Sequence, residues 1–155
     1  EENRGLWNVV GSMQDRHVED GILYVHGSPR EPTREYIFVS DIRNHEKMDE
    51  IFACLDQMAC FAGHTHTAGI FTDEYEFMPP ASINTRHTLG SQKVIINVGS
   101  VGQPRDGDPR SSYVIFDGET VEFRRVKYDV ESTIRRFRET PILPEYLALR
   151  LIEGR

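Results

Sequence analysis

Short apolar runs alternate along this chain with breaks rich in glycine, proline and charge, and their periods predict a mixed set of strands and helices. Leu6, Trp7, Val9 and Val10 form a patch that predicts the end of a helix or turn. Ile22-Leu23-Tyr24-Val25 is a β-prone run that delivers His26 and the turn Gly27-Ser28-Pro29. Pro29 and Pro32 mark an irregular loop, and the aromatic stretch Tyr36-Ile37-Phe38-Val39 leads into Ser40-Asp41. From Asn44, an expected N-cap, Met48, Ile51, Phe52 and Leu55 fall on the i, i+3, i+4, i+7 stripe of an amphipathic helix, with Glu46 in its first turn. Met58 to Ala62 then reads as a short buried strand, so strand, helix and strand predict a crossover unit within one sheet.

The second half is richer in strands. Gly69 to Thr72 and Tyr75 to Met78 suit a hairpin split by Asp73-Glu74 and closed by Pro79-Pro80. Thr85 to Leu89, Lys93 to Val98, Ser112 to Asp117 and Thr120 to Tyr128 read as successive strands, with turns at Gly90-Ser91 and Asp117-Gly118. A long loop, Gly99 to Arg110, separates two of them and is rich enough in Gly, Pro and charge to be either disordered or functional. Asp129 can cap a helix carrying Val130, Ile134 and Phe137, with Arg135, Arg136 and Arg138 near its end. Pro141 is expected to stop that helix, and Pro144 to open a last one with Leu147 and Leu151, ending at Gly154. The C-terminal helices occupy 129–155 of a single domain, 1–155, without internal repeats.

Three histidines stand out against this pattern. Gly63-His64-Thr65-His66-Thr67 follows an apolar strand, and residues i and i+2 of an extended or tightly turned backbone project the same way. The preceding glycine is expected to permit the sharp turn. His26 repeats the arrangement after its own strand, beside Gly27. Ligands of open α/β sheets bind beyond the carboxyl ends of strands, and neutral imidazole suits Zn, Mn, Fe and related ions. The plainer reading is polar loop residues after core strands, but three histidines placed alike favour a metal site. His17, His45 and His87 lack this context and are expected at the surface. In the Gly99–Arg110 loop, backbone N–H groups and Arg105 or Arg110 could meet a phosphate; equally, the arginines could pair with Asp106 and Asp108. Arg124, Arg125 and Lys127 are expected to form an exposed strand face.

Composition narrows the partners. The formal charge of −7 argues against a nucleic-acid polymer, whose phosphates demand Lys and Arg. An anionic substrate would need positive charge supplied locally, by a metal or by placed arginines. No apolar run reaches membrane-spanning length, and Glu1-Glu2-Asn3-Arg4 does not resemble a signal peptide. Cys54 and Cys60 are in no zinc or redox spacing and read as core residues of a reducing, cytoplasmic protein; the alternative is that Cys60 joins His64 and His66 at a zinc. The chain opens without methionine in a charged segment, which raises the expectation of a fragment or a processed product.

His26-Gly27, Gly63-His64-Thr65-His66 and Asn97-Val98-Gly99-Ser100, with Val101-Gly102-Gln103-Pro104-Arg105 after it, together resemble the C-terminal half of the calcineurin-like metallophosphoesterases. The likeness runs from about Ile22 to about Tyr128 and is nearest to the small bacterial phosphodiesterase and diadenosine-tetraphosphatase branch. It implies an α+β fold, part of a four-layer α/β/β/α sandwich with mixed sheets flanked by helices. It also implies a binuclear site for two divalent ions of Mn, Fe, Zn or Ni, with His26 and His64 on one ion and His66 on the other. The ions would hydrolyse a phosphoester by metal-activated hydroxide, and Asn97, Ser100 and Arg105 would contact the substrate. The family's first half supplies carboxylate ligands and a Gly-Asn-His-Asp turn; no Gly-Asn-His occurs here, and the single Gly-Asp, Gly107-Asp108, lies late, in the loop. The resemblance therefore implies three histidines of a site completed by an N-terminal half or by a homo-oligomer. The alternative is a non-catalytic module of the same fold that acts through partner binding. An isolated sheet of this kind should expose unpaired edges.

Overall fold

The computed structural model describes residues 4–140 and 142–155. The expected helix stop at Pro141 and the first three residues lie outside the described residues. In chain order the elements are α1 (Arg4–Gly11), β1 (Arg16–Glu19), β2 (Ile22–Val25), α2 (His45–Ala53), β3 (Ala59–Ala62), β4 (Gly69–Thr72), β5 (Phe77–Met78), β6 (Arg86–Thr88), β7 (Val94–Asn97), β8 (Ser111–Phe116), β9 (Thr120–Val126), α3 (Val130–Arg138) and α4 (Glu145–Glu153). Short 3-10 turns cover Val39–Arg43 and Pro80–Ile83.

β2, β3 and β7 run parallel at the centre of a six-stranded mixed sheet ordered β1-β2-β3-β7-β4-β5. The strict alternation of side chains sends successive residues of these strands to opposite faces, and both faces are covered, which is why the runs are apolar throughout. Leu23, Cys60, Ala62, Phe71 and Ile95 point toward α2 and join Met48, Ile51, Phe52 and Leu55 in one core. Ile22, Ala59, Phe61, Ile70, Val94 and Ile96 face the other way, against Val121 and Phe123 of a three-stranded antiparallel sheet ordered β6-β9-β8. The expected fold of sheets flanked by helices is what the chain adopts. α2 forms where the stripe requires it: Asn44 accepts from the Lys47 N–H at 3.2 Å, and Met48, Ile51 and Leu55 are fully buried, each worth about 1.5–3 kcal/mol of apolar transfer.

The outer face of the three-stranded sheet is covered less completely, for Tyr113, Ile115 and Val126 remain exposed there. α3 and α4 pack on each other, and α4 ends at Gly154, whose carbonyl accepts from the Gly107 N–H at 3.0 Å and ties the helix to the long loop.

Four expectations change. Arg16–Glu19 is a strand, β1, paired antiparallel with β2 across the positive-φ residues Asp20 and Gly21; its four residues are all exposed, so it carries no hydrophobic period. Cys54 is exposed rather than a core residue, because it caps the end of α2. Arg125 does not lie on an exposed face: the pleat turns it inward, where it pairs with the Asp106 carboxylate and donates to the Arg110 carbonyl at 3.1 Å. His17 and His45 are at the surface as expected, whereas His87 is half-buried on β6. No helix among the described residues is long and apolar enough to cross a membrane.

Candidate metal centre

The parallel register Tyr24 to Phe61 ends β2 and β3 at the same edge, which sets their following residues side by side. The Gly63 N–H donates to the His26 carbonyl at 3.0 Å and locks that junction. His26 Nε2 and His64 Nδ1 then stand 2.7 Å apart, with the ring centroids at 4.5 Å. The freedom expected of Gly63 is not what makes the turn: His64 and His66 themselves take φ of 62°, a left-handed conformation uncommon outside glycine. Such torsions persist only where the surroundings enforce them, and they concentrate at functional sites. Asn97 supplies much of that enforcement. Buried at the end of β7, its Nδ2 donates to the Gly63 carbonyl and to Thr65 Oγ1, both at 2.7 Å, while its Oδ1 accepts from the Gly99 N–H at 3.0 Å.

Carbonyl partners assign the ring nitrogens, since a carbonyl can only accept. His64 Nε2–H donates to the Arg34 carbonyl at 3.2 Å, which leaves His64 Nδ1 as an acceptor facing His26. Without a cation between them, His26 Nε2 supplies the proton of that contact; an ion would take both lone pairs. His66 Nδ1–H donates to the Gln103 carbonyl at 2.8 Å, which leaves its Nε2 as the free donor atom. Burial lowers the pKa of His26 below that of ordinary histidine, and the His64 charge lowers it further. His66 is lowered too, chiefly by burial and, against the pull of the Gln103 carbonyl, by Arg105 and the other two histidines. Both therefore favour the neutral form that binds metals.

The three imidazoles do not converge on one point. His26 and His64 meet, whereas His66 is turned toward Gln103, and among the described residues no group of three His, Cys, Asp or Glu stands close enough to hold an ion. The donor set thus fits an ion in part: two nitrogens aimed at one spot, with further ligands required. Asp15-Arg16-His17 has the letters of an Asp-x-His and was missed by the sequence reading; it lies on the exposed arm β1, with His17 opposite Tyr24, and enters no donor group. Cys60 is not a ligand candidate, because it points into the α2 core, where burial pushes its thiol up to about 12.

The expected substrate residues separate. All three hydrogen bonds of the Asn97 amide stay within the protein, where it braces the histidine turn. Ser100 Oγ accepts from the Gln103 N–H at 2.9 Å and shapes the loop. Arg110 pairs with Asp108 at 2.5 Å, the structural alternative for that residue. Arg105 remains beside His66: its N–H donates to the His66 carbonyl at 3.0 Å, its Nη2 donates to Gln103 Oε1 at 3.1 Å, and its buried Nε has no partner.

No protein-family model matches the chain. It is 32% identical over 137 residues to an uncharacterized protein of Methanocaldococcus jannaschii, a match covering 86% of this chain and 52% of that protein. The crystal structure of a metallophosphoesterase from Sphaerobacter thermophilus is similar with a TM-score of 0.81 and 36% identity, over 98% of this chain and 62% of that one. A hypothetical protein of Pyrococcus horikoshii OT3 shares the fold at a TM-score of 0.64 and 18% identity, over 96% of this chain and 54% of that one. The chain spans about half the length of the curated relative it matches. With paired histidines at the ends of adjacent parallel strands and this likeness along nearly its whole length, the chain has the fold of a metallophosphoesterase and is similar to one in sequence.

Proposed function

We propose that this chain carries the histidine side of a divalent-metal site that hydrolyses phosphomonoesters or phosphodiesters. The observation that carries the reading is the facing of His26 Nε2 and His64 Nδ1 across 2.7 Å. His66 Nε2 would serve a second ion, and the carboxylate ligands would come from a complementing N-terminal half or from another copy of the chain. Divalent ions held there would polarise a water molecule and offset charge on the phosphate. This supplies locally the positive charge that a chain of net −7 lacks. Arg105 is tied to the same turn through the His66 carbonyl, and its guanidinium is the cation beside His66 that would meet a phosphate oxygen. A reducing, cytoplasmic setting agrees with two free thiols.

The test joins metal titration to hydrolysis of p-nitrophenyl phosphate and bis(p-nitrophenyl) phosphate in Mn²⁺ or Ni²⁺, with the chain alone and with the segment that completes its relatives' length. Hydrolysis should require that segment. Activity undiminished in the triple variant His26→Ala, His64→Ala, His66→Ala would sink the proposal.

One observation favours a second reading, a non-catalytic module acting through a partner. β8 is an edge strand, and beside it opens a cavity of about 360 Å³ lined by Tyr24, Phe61, Val98, Val114 and Phe116. An unpaired strand next to an apolar groove is suited to take up a strand from another chain. Activity of the completed protein decides between the two.

A further inference from the structure

The loop between β2 and α2 is fastened far more tightly than a surface connection requires, and its fastenings converge on His64. At its start, a Cβ on Gly27 would lie 2.7 Å from the Glu31 carbonyl oxygen and 2.9 Å from that of Glu35, so only glycine lets the loop fold back. The Gly27 N–H donates to the Pro32 carbonyl at 2.5 Å and the Glu31 N–H to Ser28 Oγ at 2.9 Å. Ser28 is fully buried, and its hydroxyl donates to Glu35 Oε2 at 2.5 Å. Arg30 grips the same carboxylate with Nη2 and with Nε, the latter at 3.2 Å, while its Nη1 reaches Glu50 of α2. On the far side, Ile37 is buried in the α2 core and Lys47 Nζ donates to the Tyr36 carbonyl at 2.9 Å. Between these anchors lie Arg34, whose carbonyl takes the His64 Nε2–H, and Tyr36, whose ring stacks on His64 with centroids 3.7 Å apart.

We infer that Glu35, clasped by Ser28 and Arg30, is a positioning residue of the metal centre: it fixes the backbone that presents the Arg34 carbonyl and the Tyr36 ring to His64. The inference rests on the reading of His26 and His64 as ligands. A bidentate arginine–carboxylate pair backed by a buried hydroxyl sets direction as well as energy. Its effect is to hold the proton on His64 Nε2 and turn Nδ1 toward His26. Partners that hold a ligating histidine in one tautomer commonly contribute about 10–100-fold to metal affinity.

Long-range ¹⁵N–¹H correlation spectra of the imidazoles report the tautomer without metal, and Co²⁺ titration followed by visible absorption reports affinity. Wild type should show His64 protonated at Nε2. Glu35→Ala should mix the two tautomers and weaken Co²⁺ binding by about tenfold or more. Glu35→Gln, which still accepts from Ser28 and Arg30, should fall between them. Ile134→Ala, a core change on α3, controls for destabilisation: it should lower the melting temperature and spare both readouts. The clasp is overturned if Glu35→Ala keeps the wild-type tautomer and affinity, or if Ile134→Ala at equal loss of stability reproduces its effect. A tautomer change in Glu35→Ala with no Co²⁺ binding by any variant would support the clasp and remove the metal reading, so the two fail separately.

Discussion

The His26–His64 contact and the neighbourhood of His66 and Arg105 lie at the end of one sheet, but they are built from opposite materials. In the first, two imidazole nitrogens face each other at 2.7 Å, and the Tyr36 ring stacks on His64. In the second, a single imidazole shares its surroundings with a guanidinium whose Nε has no partner. A hydrogen bond between two neutral imidazoles can be exchanged for a cation that takes both lone pairs, whereas an unpartnered guanidinium N–H calls for an anion. On the proposed reading the site needs both, and the chain places them on adjacent turns. His64 and His66, each at φ 62°, are the hinge that points one ring each way.

The largest expected effect separates the two sides by their metal. His64→Ala should reduce Co²⁺ affinity by more than about 100-fold, beyond what outer partners contribute, while His66→Ala should cost the first ion less than about tenfold. Calorimetric titration checks both; equal losses would mean that the rings share one ion and the contrast is false. Next comes Arg105→Ala. Hydrogen bonds to charged groups are worth about 1.5–3 kcal/mol, so phosphate inhibition or KM for an aryl phosphate should worsen by roughly 10–100-fold. Metal affinity should stay put. If metal binding falls as well, Arg105 belongs to the cation side.

Asn97 joins the two sides, and its substitutions should pull them apart at smaller magnitude. Asn97→Ala leaves the Gly63 carbonyl, Thr65 Oγ1 and the Gly99 N–H without their partner, at about 1–3 kcal/mol for each buried group left unsatisfied. Even one such group, at about 2 kcal/mol, would lower the melting temperature by about 4–8 °C in a chain of this size. Asn97→Asp keeps the acceptor for Gly99 but sets a carboxylate oxygen against the Gly63 carbonyl. It should disturb the His64 and His66 resonances more than those of the 99–105 loop, and an even disturbance would show that the two turns move together.

These contrasts were only partly legible in the sequence. The stripe on α2 and the four apolar strand runs fixed the main sheet, because burial on both faces leaves a signal in residue type alone. β1 left none, since Arg16, His17, Val18 and Glu19 are all exposed and its cue was the Asp20-Gly21 turn by itself. Gly-His-x-His announced the histidine turn, but not that the histidines would carry the positive φ. The roles of Asn97 and Arg105 were hidden for a different reason. Side-chain types show what a residue can bond, and only the folded arrangement shows that Asn97 is fully occupied while Arg105 keeps a free N–H. Glu35 and Ser28 carried no signal at all, because their meeting depends on the path of an irregular loop.

The smallest effect concerns how the anion-facing side is held in place. Asp108 sits in the same loop as Arg105, bonded to the Arg110 side chain and backbone N–H and near Arg125. These bonds, the Arg110 side chain first, hold its carboxyl at about 2 against the small opposing effect of burial. An unfolded aspartate titrates near about 3.9, so the folded pKa is the depressed one. The stability this supplies is therefore fully present above about pH 4 and is lost as pH falls toward about 2. Melting temperature should decline more steeply between those limits in wild type than in Asp108→Asn, which cannot ionise. Because α4 is tied to this loop through Gly154 and Gly107, loss of the Asp108 charge should loosen the loop and the C-terminal helix together. Amide exchange at pH 3 in wild type and Asp108→Asn checks the tie: protection lost in the 99–110 loop but kept in α4 would show that the Gly107–Gly154 bond does not couple them.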